Sequence, residues 1–337
     1  MSFLSKSKPI MLSAVLTAAA SVPAAALDMT EKASIKIGDG EGYAEMIRYH
    51  APSQSLFVTA SETGTLERVS MVNPLALGLA TPFDLDGGNV TAVAVHGDLV
   101  AASIRADAAD APGEVKLYDT NGTLLASYPT GALPDNVAFS PDGQYMLKAN
   151  EGEPSDDYSV DPEGSFTLID LANGPASAVV TQVLLDGFRA PAASRIVKPG
   201  SSFAADTKPE YVAFVPDGKL AYVILQENNA VAVIDIASAS VAAVSGLGTK
   251  NISRTSHDMS NKDTSIKMKR WPVLMMYQPD AIAAYEAKGT TDLVTANEGD
   301  VKDYEGVSEE TCVGKLQLDK TMFPNSDVLQ LPQIWDG

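Results

Sequence analysis

Repetition of one acidic phrase constrains this chain's fold more than any other feature, because an internal repeat sets the architecture before any motif can be read. Ala149 to Tyr158 reads ANEGEPSDDY, and Ala296 to Gly306 reads ANEGDVKDYEG. Each phrase closes a longer unit. The clearest runs from Leu133 to Leu171, opening PDNVAFSPDGQYMLKANEG and ending GSFTLIDL. Lys208 to Ile236 repeats it as KPEYVAFVPDGKLAYVILQENNAVAVIDI, and Gln278 to Leu318 repeats it more loosely. Weaker copies lie at Tyr43 to Met71 and Asn89 to Tyr128.

Each unit follows one physical plan. A Pro-acidic pair precedes a short β run, as in Val137-Ala138-Phe139 or Val212-Ala213-Phe214. A turn such as Pro141-Asp142-Gly143 follows, where Pro presets φ and Gly releases the chain. A second strand, an Asn-Glu or Gln-Glu loop and a third strand complete a meander. Repeated all-β units with little helical pattern predict a β-propeller of YVTN- or WD40-like blades. A β-sandwich would not reuse one phrase at matching places. Two longer stretches, Gly174 to Thr207 and Gly248 to Tyr277, read as insertions between units.

Composition narrows the partners. Of 337 residues, 43 are acidic and 24 basic, a net charge of -19. That argues against nucleic acid and favours divalent cations. Residues 1–26 have the grammar of a secretory signal, with Lys6 and Lys8 before an apolar run and a small-residue site at Val22 to Ala26. The expectation is therefore an exported chain, periplasmic, extracellular or at the cell surface, whose propeller occupies 27–337 in about five blades. No later segment reads as transmembrane. Cys312 is the only cysteine, so an internal disulfide is excluded.

The phrases ANEGEPSDDY, PEYVAFVPDGKLAYVILQENNAVAVIDI, WPVLMMYQPDAIAAY and TANEGDVKDYEGVSEE, in that order, resemble bacterial exported proteins of the choice-of-anchor I domain family. These are similar to mesenchyme-specific cell surface glycoproteins, and some members carry the label alkaline phosphatase. Against the family pattern, the final blades are expected to be missing after Met322-Phe323-Pro324. The propeller would then be incomplete at its C-terminus.

In a propeller the Pro-acidic and Asn-Glu positions converge on one mouth. This predicts a ring of Glu45, Glu62, Asp135, Glu151, Glu210, Glu227, Asp280 and Glu298. Oxygen donors without His or Cys suit Ca²⁺ or Mg²⁺, and His50, His96 and His257 are scattered. Taken singly, each Glu is better explained as a solvated turn residue beside a Gly of positive φ, and only the set of eight favours a cation. Lys262, Lys267, Lys269 and Arg270 form a basic island that either binds an anion or neutralises nearby carboxylates.

Two functions remain open. One is a cation-dependent binding or surface module, whose partner would be an extracellular protein, a polysaccharide or a phosphorylated ligand. The other is a calcium-dependent phosphoesterase of alkaline phosphatase or phytase type, supported by family labels. Against an enzyme stands the lack of any serine nucleophile motif, phosphate loop or dinucleotide fingerprint in the sequence.

Overall fold

The computed structural model describes residues 30–39, 43–86, 88–108, 110–259, 264–311 and 315–329. The expected signal segment, Lys262 and Cys312 lie outside them. The fold is a β-propeller architecture of separate antiparallel meanders. The first sheet contains β1 (Ile47–His50), β2 (Ser55–Ala60), β3 (Thr65–Ser70) and β4 (Gly78–Leu79). The second contains β5 (Asn89–His96), β6 (Leu99–Arg105), β7 (Pro112–Asp119) and β8 (Leu124–Ala132). The third is β9 (Pro134–Phe139), β10 (Tyr145–Asn150), β11 (Ser165–Asp170) and β12 (Val179–Leu184). After a single helical turn, α1 (Phe203–Asp206), comes the fourth: β13 (Pro209–Phe214), β14 (Leu220–Leu225), β15 (Ala230–Asp235) and β16 (Ser240–Gly246). Two hairpins follow, β17 (Thr249–Asn251) with β18 (Leu274–Met276) and β19 (Pro279–Ala287) with β20 (Thr290–Asn297), then a last turn, α2 (Ser326–Leu329).

The first strand of each unit forms the inner layer, with β1, β5, β9, β13 and β19 packed side by side in that order. Apolar alternation on the middle strands fills the space between neighbouring sheets. Leu147, Phe166 and Leu168 of the third sheet meet Val212, Val223, Leu225 and Ile234 of the fourth. Phe57 and Leu66 of the first likewise meet Val90, Val100 and Tyr118 of the second. Each sheet thus buries its faces against its neighbours, as a radial repeat must.

Two sequence expectations need correction. Three strands per unit were expected, and the first four sheets have four while the last unit shows the hairpin β19–β20. The fourth strand escapes a hydrophobic reading because it is the outer edge: β16 has no buried residue at all. The stretch Gly174 to Thr207 is accordingly not all insertion, since β12 lies inside it. In the loosest copy, Gln278 to Leu318, no strand is present among the described residues 315–318.

The Pro-acidic pair has a structural cause that the repeat alone did not disclose. Pro134, Pro209 and Pro279 occupy the first position of β9, β13 and β19, where a missing N–H costs no ladder bond. The ladder then slips between Pro134 and Val137, between Pro209 and Val212, and between Pro279 and Ala281. Asp135, Glu210 and Asp280 sit in these bulges. A bulge bends the strand and re-aims a side chain, so each acid is turned out of the ordinary strand alternation. The Gly of each repeated phrase also has a local duty, with φ of 68° at Gly152 and 88° at Gly299.

Candidate metal centre

Three carboxylates from two adjacent units come together at one end of the inner layer. Glu151 follows β10, Glu210 lies in the bulge of β13, and Glu227 follows β14 in the turn to β15. Each offers one oxygen, and these oxygens all lie within 4.8 Å of one another. Glu227 is 4% exposed, and its Oε2 is buried with no hydrogen-bond partner. Gln226, with its amide nitrogen turned to Glu210, donates to both carboxylate oxygens at 2.8 and 3.0 Å.

Such a group cannot hold three negative charges unaided. At an effective dielectric of ~20, two unit charges 4.8 Å apart repel by about 3 kcal/mol. The titration behaviour reflects this. Burial, followed by repulsion from Glu227, Asp135 and Glu153, raises Glu151 well above the usual carboxylate range. Burial and the charges of Glu227 and Glu151 push Glu210 up to about 12. Burial lifts Glu227 to about 7 against the opposing pull of Lys302 and Lys208. Asp135 rises to about 6, again chiefly by burial, with Lys148 opposing and Asp280 and Glu45 adding to the rise. Asp280 is raised by burial and by Glu298 and Asp300.

The structure therefore divides the expected ring. Glu151, Glu210 and Glu227 form the compact group, and Asp135 joins it electrostatically. Asp280 and Glu298 are exposed on the β19–β20 hairpin. Glu45 is exposed before β1 and accepts a hydrogen bond from the Ser61 hydroxyl. Glu62 stands exposed in a 3-10 turn at Ser61–Thr63, outside the compact group. Other acids of the repeated phrase are occupied locally. Asp157 accepts from the Ser155 hydroxyl and the Ser159 N–H, and Asp161 pairs with Lys208 at 3.2 Å and Lys198 at 3.6 Å. In the basic island, Lys267, Lys269 and Arg270 are exposed, and the Lys269 ammonium stands 5.9 Å from the Trp271 ring centre.

Sequence reasoning missed the buried cations that surround the carboxylates. Lys148, in β10, is fully buried and donates to the Asn136 carbonyl at 3.0 Å. Its burial lowers its pKa well below the usual lysine range, while Asp135 and Glu151 oppose that shift. Lys208 is equally buried and donates to Gly152 O, Ala205 O and Asp161 Oδ1. Lys302 donates to Asp206 O at 3.0 Å and lies 3.8 Å from its Oδ1. The two available signals were a lysine at an apolar strand position, at 148, and another just ahead of a Pro-acidic pair, at 208.

A clasp joins the two repeated loops above the site. Tyr304 donates to Glu153 Oε1 at 2.7 Å, and its ring meets Tyr158 edge-on at 5.3 Å. Gly306 donates its N–H to Asp156 O at 2.9 Å, and a Cβ there would lie 2.5 Å from Asp157 O, so only glycine allows the approach. Arg195 completes the link, since it pairs with Glu309 through two nitrogens and donates from Nε to Glu227 O at 2.5 Å. Replacing Arg195 by Ala removes charge-assisted bonds from half-buried groups. The expected loss is about 2–3 kcal/mol in a urea melt, with earlier proteolytic cutting in 298–311. An unchanged cutting pattern would show that the clasp closes without Arg195.

Residues 45–333 match the Choice-of-anchor I domain, and the chain belongs to that family. No curated protein matches the sequence significantly. Among solved structures, the chain is similar to Kuenenia stuttgartiensis hydrazine synthase, at 12% identity over 74% of this chain and 70% of that one, with a TM-score of 0.47. It is also similar to the β-propeller domain of Myceliophteria thermophila Cps50 (Swd1), at 12% identity over 62% and 57% with a TM-score of 0.44. A functionally unknown protein from Desulfotomaculum acetoxidans DSM 771 aligns at 12% identity over 78% and 72%, with a TM-score of 0.45. No helix among the described residues is long and apolar enough to cross a membrane.

Proposed function

We propose that this chain is a cation-dependent binding module of an exported or surface protein, with one Ca²⁺-class ion held by Glu151, Glu210 and Glu227. The observation that carries this reading is the buried, unpartnered Oε2 of Glu227 within a group of three carboxylates whose oxygens lie within 4.8 Å. Calcium binds oxygen at 2.3–2.6 Å, so ligands on opposite sides of one ion stand a little under 5 Å apart. The donor set contains oxygen only, which selects hard cations over zinc or copper. Gln226 supports Glu210 from behind, as an outer partner commonly does for a ligating carboxylate. The remaining acids, Glu45, Asp135, Asp280 and Glu298, would surround the ion and present a face to an extracellular protein, polysaccharide or phosphorylated ligand.

Thermal melts in calcium and in EDTA test the reading. A ligand that binds only the folded state stabilises it by about 2.7 kcal/mol at a hundredfold excess over its dissociation constant. The midpoint is expected to climb with calcium, and Glu151→Gln is expected to abolish the climb. Identical melts in calcium and EDTA would end the proposal. Calcium-dependent turnover of p-nitrophenyl phosphate, lost in Glu151→Gln, would instead make the site a phosphoesterase.

A further inference from the structure

A second, chemically different surface lies along the inner layer, reaching the ends of β5 and β9. A cavity of about 280 Å³ opens between β1, β5, β9 and β13, with Arg48, His96, Asn136 and Ser140 among its lining residues. Arg48 is half-buried on β1. Its Nη1 donates to Ile47 O at 2.9 Å, and its Nη2 reaches across to the Tyr211 hydroxyl on β13 at 3.0 Å. Among the described residues no carboxylate pairs with it. A guanidinium carries five donors, so most of the Arg48 fork is uncommitted.

Asn136 supplies an independent observation. It is 1% exposed, its Oδ1 accepts from the Val212 N–H at 3.2 Å, and its backbone carbonyl accepts from Lys148. Its Nδ2 faces only the Met46 sulfur at 3.9 Å, a weak acceptor. A buried amide rarely leaves its donors so poorly matched. His96, tilted against Phe139 at 5.8 Å between ring centres, stands at the same cavity.

We infer that this cavity binds a small organic monocarboxylate, with its oxygens on the Arg48 fork and the Asn136 amide and its short apolar tail against Val95, Val137, Phe139 and Phe214. The planar guanidinium matches a carboxylate through two parallel bonds. Val95, Val137, Phe139 and Phe214 offer apolar contact that a short tail uses and inorganic phosphate does not, and the volume falls below that of drug-sized pockets. The chain's net charge of -19 argues the same way, because it penalises a multiply charged anion more than a singly charged one. The site is independent of the cation, so it stands or falls separately from the metal centre.

Saturation-transfer NMR and calorimetry on the full chain in EDTA, with butyrate as probe, test it. Butyrate is expected to bind, and butyramide and phosphate at least tenfold more weakly. Arg48→Gln is expected to weaken butyrate at least tenfold. Ala138→Leu, which keeps Arg48 and fills the cavity, should weaken it comparably, with melting curves confirming that both variants fold. Absence of butyrate binding, equal binding by Arg48→Gln, or phosphate binding more tightly than butyrate would each overturn the assignment.

Discussion

In EDTA, the protein is expected to lose stability steadily as pH rises from about 4.5 to about 7, and to regain most of it when calcium is added at the higher pH. The sign follows from protons held by the fold. Glu227 is raised to about 7 and Asp135 to about 6, and burial also raises Glu151 well above the usual carboxylate range. In the unfolded chain these groups ionise near 4. Below that value both states are protonated and the stability is fully present. As pH rises through the folded values, the unfolded chain sheds protons that the fold must keep, and the balance shifts toward unfolding. For Glu227 alone, moving from 4.5 to about 7 amounts to roughly 3 kcal/mol. Glu227→Gln should flatten the slope and make the metal-free protein more stable than wild type at pH 8. Urea midpoints at a series of pH values, with and without calcium, measure this. A flat profile in EDTA would show that the carboxylates are already paired.

Lys208→Met is expected to cost about 3–5 kcal/mol, more than any single change at the rim. The ammonium lies fully buried, and its acceptors are Gly152 O at 2.5 Å, Ala205 O at 2.9 Å, Asp161 Oδ1 at 3.2 Å and Pro162 O at 3.4 Å. Methionine fills the volume but leaves those oxygens without a donor and Asp161 with only Lys198. Removing one side of a buried ion pair is far costlier than its net worth would suggest. The loss should appear in denaturant midpoints in calcium and in EDTA alike, because it does not depend on the ion. A loss below ~1 kcal/mol would mean that water replaces the ammonium.

Much of the architecture was legible because a radial repeat writes its plan several times. The turn chemistry of Pro141 to Gly143 and Pro216 to Gly218 located the β9–β10 and β13–β14 hairpins. Outer strands such as β16 were not legible, since an exposed edge strand needs no apolar alternation. In the candidate site, the repeat pointed to Glu151, Glu210 and Glu227 together with Glu62, which the fold leaves in an exposed turn. Symmetry in sequence could not separate them, because what distinguishes Glu227 is its burial beside Arg195, from the stretch between units, and Lys302, from a different copy of the phrase. The bulges at Asp135 and Glu210 were equally hidden, being a property of pairing rather than of composition.

The meander order of the sheets has a kinetic consequence. Every four-stranded sheet is made from one contiguous run of chain, β5 to β8 from Asn89–Ala132 and β13 to β16 from Pro209–Gly246. Strands therefore find partners close by in sequence, where loop closure costs least, and each sheet can zip as soon as its own run is available. Among the described residues, Tyr304 with Glu153 and Arg48 with Tyr211 join positions more than 150 apart. Closing such long loops costs the most entropy, so the clasp and the Arg48–Tyr211 contact are expected to form after the sheets.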